Sequence, residues 1–258
     1  MKQPSTKTIT KNKNSPVPFL RLFVIFLTFS VLFLISQYSK KMKSNDEAND
    51  GKRAYSIWFE PATIQSIVHD EKSKSFAKKA QEFINERTLS GVTFAPHVTL
   101  LGPVYSADER EVVEKTETLA RMISSTTTSS SSQREEDKPK IRFMKADVGE
   151  TYFQCVYLLA DVTAFLMRAR EKALDVFKAR DARRYMPHLS LAYGDESKVD
   201  RIKLMIQAND EFRRGTLSSS DSEDEEEEFF VARSISLWKT DVGDTSCKSW
   251  VKVKEFPL

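Results

Sequence analysis

The pentapeptide Pro96-His97-Val98-Thr99-Leu100 recurs ninety-one residues later as Pro187-His188-Leu189-Ser190-Leu191. The chain has three histidines, and two of them hold equivalent places in this repeat. Each sits in a short apolar run of the kind that forms a buried strand. Side chains i and i+2 of a strand point to the same face. His97 therefore projects with Thr99, and His188 with Ser190. A fold that lays the two strands side by side brings two imidazoles and two hydroxyls to one small cavity.

Imidazole titrates near neutral pH, so one ring can take a proton while another gives one. Such a pair suits in-line displacement at phosphorus: one histidine deprotonates a water and the other protonates the departing oxygen. The hydroxyls supply neutral hydrogen bonds to the non-bridging oxygens as charge shifts in the transition state. A cyclic phosphodiester carries one negative charge and can be handled without a metal. The sequence has no His-Glu-x-x-His or Cys-x-x-Cys spacing for zinc, and no cofactor or metal is expected. A lone histidine after proline often only caps backbone groups. Two of them, matched at imidazole and hydroxyl, point to chemistry. His69 lies in a charged segment that reads as an exposed helical face or turn and is given no role.

The surroundings of the repeat are distinctive. Tyr55-Ser56-Ile57-Trp58 precedes the first motif, which Phe94 and Ala95 introduce. Thr151-Tyr152-Phe153-Gln154-Cys155-Val156-Tyr157-Leu158-Leu159 lies between the motifs. Tyr185 and Met186 introduce the second motif, Ala192-Tyr193 follows it, and Lys239-Thr240-Asp241 comes late in the chain. With the paired His-x-(Thr/Ser)-Leu motifs, these resemble the plant-type cyclic nucleotide phosphodiesterases of the two-histidine (2H) phosphoesterase superfamily, over about residues 54 to 256 minus two insertions. The resemblance implies opening of ADP-ribose 1″,2″-cyclic phosphate, a by-product of tRNA splicing, and of nucleoside 2′,3′-cyclic phosphates. It further implies that His97 and His188 are the acid–base pair and that Thr99, Ser190 and Tyr193 hold the phosphate. Trp58 and Phe153 would line the nucleotide pocket, although aromatics in strands usually belong to the core. Which histidine is base and which is acid stays open.

Composition divides the chain. Residues 1–53 hold ten Lys+Arg against three Asp+Glu, and the remaining residues 30 against 34, so the overall +3 conceals a mildly acidic body. That body is no broadly basic nucleic-acid binder, and a small nucleotide substrate fits it better than long nucleic acid. Residues 1–16 form a basic polar tail. Residues 17–36 are a 20-residue apolar stretch, just long enough at about 1.5 Å per residue to cross a ~30 Å hydrocarbon core. They read as an uncleaved single-pass membrane anchor, with a signal peptide as the competing reading. Lysines flank the span on both sides, so its topology stays open. Residues 37–53 follow as a stalk.

From residue 54 the expected class is α+β: two pseudo-symmetric lobes with antiparallel sheets and outer helices, the site in the cleft between them, acting as a monomer. Strands are expected at 54–60, 94–101, 140–148, 151–160, 188–193, 229–238 and 249–255, and helices at 62–89, 107–123, 162–182 and 197–209. Ser106 and Glu109 have capping-box spacing. The low-complexity segment 124–138 and the acidic segment 215–228 read as solvated insertions. Cys155 and Cys247 could form one disulfide or none.

The leading reading is a membrane-anchored, metal-independent cyclic phosphodiesterase. A second keeps the fold but acts on RNA ends or 2′,5′-linked oligonucleotides, which would need a basic groove that the net acidic body argues mildly against. A third is a nucleotide-binding protein without turnover.

Overall fold

The strands form because short runs of β-branched, aromatic and aliphatic residues, some alternating with polar ones, fit a pleated, half-buried surface. The computed structural model describes residues 51–61, 71–87, 90–127, 139–180, 184–212 and 228–258. The segment 17–36, His69 and most of both insertions lie outside them. No helix among the described residues is long and apolar enough to cross a membrane.

The strands are β1 (Arg53–Phe59), β2 (Val98–Ser106), β3 (Lys140–Val148), β4 (Val156–Ala160), β5 (His188–Ala192), β6 (Phe229–Val231), β7 (Ser234–Lys239) and β8 (Val251–Pro257). The helices are α1 (Glu71–Arg87), α2 (Glu109–Thr127), α3 (Ala164–Phe177) and α4 (Lys198–Phe212). All strands join one sheet in the order β6-β3-β4-β5-β2-β1-β7-β8, with antiparallel pairing throughout. The sheet has two four-stranded halves, and the innermost strand of each carries or directly follows one of the paired histidines.

Helix α3 shows how the sequence dictates its own ends. Thr163 accepts a hydrogen bond from the Leu166 amide at 3.3 Å and caps the N-terminus. Phe165, Leu166, Ala169 and Ala173 are buried along one stripe; each large member contributes on the order of 1.5–3 kcal/mol. Lys178 adopts φ 51°, and the Ala179 amide bonds the Leu174 carbonyl at 3.0 Å, closing the helix in a left-handed cap. The helix thus stops short of the predicted 162–182.

Other expectations need correction. Asp108, not Ser106, caps α2, its carboxylate accepting from the amides of Arg110 and Glu111 at 2.9 and 3.4 Å. Helix α2 continues to Thr127, so the first four residues of the expected 124–138 insertion are helical. The predicted strand 151–160 begins as a 3₁₀ turn over Tyr152–Gln154. The predicted strand 229–238 is two: β6 pairs with β3 and β7 with β1, in opposite halves of the sheet. Residues 94–97 lie outside the β2 ladder, which begins at Val98, and α4 runs to Phe212.

Candidate active site

Strands β2 and β5 meet through the register pair Val98–Leu189, and both side chains are fully buried in the core. In an antiparallel pair, one step along one strand matches one step back along the other. Thr99 therefore lies across from His188, and His97 beside Ser190. All four alternate away from the core-facing pair and share the opposite face of the sheet. Trp58 continues this row, being the register partner of Thr99 on one side and of Ser236 on the other. On β4, Tyr157 faces Ser190.

The two imidazoles are held alike. Nδ1 of His97 lies 2.7 Å from the Ala95 carbonyl, and Nδ1 of His188 lies 3.0 Å from the Met186 carbonyl. A carbonyl only accepts, so each Nδ1 carries the hydrogen and each Nε2 keeps a lone pair for chemistry. Burial pushes the proton affinity of His97 down to about 4, opposed by the Ala95 carbonyl and reinforced by the nearness of His188. Burial also lowers that of His188, with the Met186 carbonyl opposing. Both rings are neutral at pH 7, and a charge on one disfavours a charge on the other.

Ser190 donates to the Phe153 carbonyl at 3.3 Å. Tyr193 is hydrogen-bonded to Ser190, and burial raises its hydroxyl above the usual phenol range. The Ser190 hydroxyl thus lies between the Phe153 carbonyl and the Tyr193 hydroxyl. The Tyr193 ring stacks on Phe94 at 3.8 Å and 17°. Tyr185 donates to the Thr99 carbonyl at 3.0 Å. Arg170 donates to the Leu100 carbonyl at 2.6 Å, and together they brace the strand that carries the first motif.

The turn Tyr152–Gln154 closes the second half of the site. It supplies the carbonyl that holds Ser190, and the Gln154 amide reaches to 3.5 Å from Nε2 of His188. Its position is set by Arg201, which donates to the carbonyls of Gly149 at 2.6 Å and Glu196 at 2.8 Å. The Tyr152 hydroxyl ties the turn to the Thr245 carbonyl at 2.8 Å.

Reading the sequence named His97, Thr99, His188, Ser190, Tyr193, Trp58 and Phe153, and all seven gather here. Trp58 is 2% exposed and backs His97. The partly exposed aromatic surface belongs to Phe153, Trp238 and Trp250. Phe153 and Trp250 lie 5.6 Å apart at 33°, and Trp250 donates its indole hydrogen to the Asp241 carbonyl at 2.9 Å. The sequence reading missed Trp238, Trp250 and Gln154. A signal for the first two existed: the chain has three tryptophans, and Trp58 lies within ring contact of both others. Cys155 and Cys247 are both buried free thiols, so no disulfide joins them.

Residues 53–256 match the cyclic phosphodiesterase-like protein family. The cyclic phosphodiesterase of Arabidopsis thaliana is 28% identical over 203 residues, covering 78% of this chain and 93% of the relative. Among solved structures, LigT of E. coli complexed with 3′-AMP is similar at 9% identity and a TM-score of 0.44, over 80% of this chain and 98% of its own. Usb1 of Kluyveromyces marxianus with uridine monophosphate is similar at 13% identity and a TM-score of 0.38, over 81% and 99%. On the match over 53–256 and the Arabidopsis relative, the chain belongs to the cyclic phosphodiesterase-like family and is a phosphodiester hydrolase.

Proposed function

We propose that this enzyme opens ADP-ribose 1″,2″-cyclic phosphate and nucleoside 2′,3′-cyclic phosphates to monoesters, with His97 as base and His188 as acid. The observation that carries the reading is the Val98–Leu189 register, which sets His97, Thr99, His188 and Ser190 on one face. Nε2 of His97 takes a proton from water as its oxygen bonds to phosphorus. The ring P–O bond breaks, and His188 gives its Nε2 proton to the departing oxygen. One water is consumed and the two protons exchange back through solvent. His97 is the more enclosed ring and starts neutral, which suits the base. His188 is partly exposed, and the incoming phosphate anion favours its protonated form. Thr99 and Ser190 hydrogen-bond the non-bridging oxygens, the serine re-aiming its hydrogen from Phe153.

The test is incubation of the purified protein, and of His97→Ala, His188→Ala and Ser190→Ala, with each cyclic phosphate in excess EDTA. Wild type should open the ring, each histidine variant should lose about 10²–10⁴-fold, and the serine variant about 10²-fold. If wild type leaves both substrates intact the proposal fails, and oligonucleotide ends become the next substrates to try. On its sequence, segment 17–36 is proposed to anchor the enzyme in a membrane. Release of the full chain by alkaline carbonate would exclude that.

A further inference from the structure

The indole of Trp58 lies face to face on the imidazole of His97, with ring centroids 3.6 Å apart and planes 11° from parallel. Its other face is covered by Trp238 at 4.6 Å and 28°. With both faces taken, Trp58 has no surface on which a nucleobase can stack. What it faces is the ring that becomes an imidazolium when it takes the proton of water.

The need for such support is visible in the site. Where serine hydrolases place a carboxylate against the Nδ1 hydrogen of the base, His97 has the neutral carbonyl of Ala95. An aromatic face carries negative charge density and attracts a cation seated over it, most of all an indole in a dry setting. Among the described residues His188 has no parallel partner of this kind: Tyr157 meets it at 5.1 Å with the planes at 62°.

The indole is also prevented from drifting. Trp238 donates its indole hydrogen to Ser236 at 3.2 Å. Ser236 donates in turn to Glu60, which pairs with Lys252 at 2.7 Å. Lys252 lies 5.6 Å over the Trp238 ring. This chain of contacts fixes Trp238, which presses Trp58 against His97.

We infer that Trp58 stabilises the imidazolium of His97 through its π face while the proton of the attacking water rests there, with Trp238 holding it in place. The inference rests on the proposed role of His97 as base. Trp58 acts through His97 and is a positioning residue of the reaction; it supports charge instead of binding the nucleotide.

Fluorination of the indole tests this, because it withdraws density from the π face with little change of shape. Full-length protein carrying 5,7-difluorotryptophan or 4,5,6,7-tetrafluorotryptophan at position 58 is made by stop-codon suppression. Turnover of 2′,3′-cyclic AMP is measured, and His97 is titrated by NMR of its ring Cε1–H. The expected result is a stepwise fall in kcat, about three- to tenfold at the tetrafluoro stage, with KM unchanged and His97 protonating at lower pH than in wild type. A rise in KM at constant kcat would overturn the inference and return Trp58 to substrate binding. An unmoved His97 titration would also overturn it. If wild type opens no cyclic phosphate, the activity reading fails, while the titration still decides whether the indole supports the cation.

Discussion

Val98 and Leu189 are register partners at the junction of the two sheet halves, and both are fully buried. Each is flanked by the residues proposed to do the chemistry, so one apolar pair in the core sets the alignment of two imidazoles and two hydroxyls. A change there acts on stability and on geometry together. Leu189→Ala should cost about 2–5 kcal/mol, read from the urea midpoint at constant m-value. It should also lower kcat per folded molecule, because the β2–β5 alignment loosens. If the folded fraction of the variant turns over at the wild-type rate, register at this pair does not govern the site.

Stability should fall in mild acid for a reason that lies in His97. Burial drops its folded-state affinity from 6.5 to about 4, so the unfolded chain binds the proton first. Above pH 6.5 the ring is neutral in both states and the contribution is fully present. As pH falls from 6.5 to 4 it is lost, amounting to roughly 3 kcal/mol. The lowered affinity of His188 acts in the same direction. Urea unfolding at pH 7.5, 5.5 and 4.5 should show this slope, and His97→Gln should flatten it. An equal slope in the variant would assign the acid sensitivity to other groups.

The same affinities place the working range of the enzyme. The proposed mechanism needs one neutral and one protonated histidine, and kcat/KM reports the free enzyme. His97 gains its proton near 4, and His188 loses its own somewhere below 6.5. With a substrate that does not titrate in this range, kcat/KM should form a bell peaking on the acid side of pH 6.5 and declining towards pH 8. A profile that climbs steadily from pH 5 to pH 8 would contradict it.

Much of the site was legible because its residues are rare and repeated. Two of three histidines in matched pentapeptides needed only the two-residue period of a strand to place imidazole and hydroxyl on one face. Tryptophan is equally scarce, yet Trp238 and Trp250 carry no repeat and reach Trp58 only through the β1–β7 pairing and the turns before β8. Gln154 was hidden inside an apolar run that looked continuous, because no proline or glycine marks where Tyr152–Gln154 leaves the extended state. The run 229–238 misled in the same way: its break between Val231 and Ser234 sends β6 and β7 to different halves of the sheet, a choice made by tertiary pairing. The cap moved from Ser106 to Asp108 because both side chains suit the task and only the path of the chain out of β2 decides between them.

The turn that brings Phe153 and Gln154 to the site depends on a close backbone approach at Gly149. The Gly149 amide donates to the Cys155 carbonyl at 3.1 Å, and Arg201 grips the Gly149 carbonyl from the other side. A Cβ on this residue would lie 2.0 Å from the Gln154 carbonyl oxygen, a backbone atom that cannot swing aside. Gly149→Ala must therefore displace the turn itself. The Phe153 carbonyl would leave Ser190, and the Gln154 amide would move from His188. The effect should fall on the phosphate end of the site: KM for 2′,3′-cyclic AMP rises and kcat drops, together lowering kcat/KM by about 10–100-fold, equivalent to roughly 1.4–3 kcal/mol. The Trp58–His97 stack lies in the other half of the sheet and should persist, so the NMR titration of His97 should stay close to that of wild type. A variant with unchanged kcat/KM would show that the contacts of this turn to His188 and Ser190 do not govern turnover.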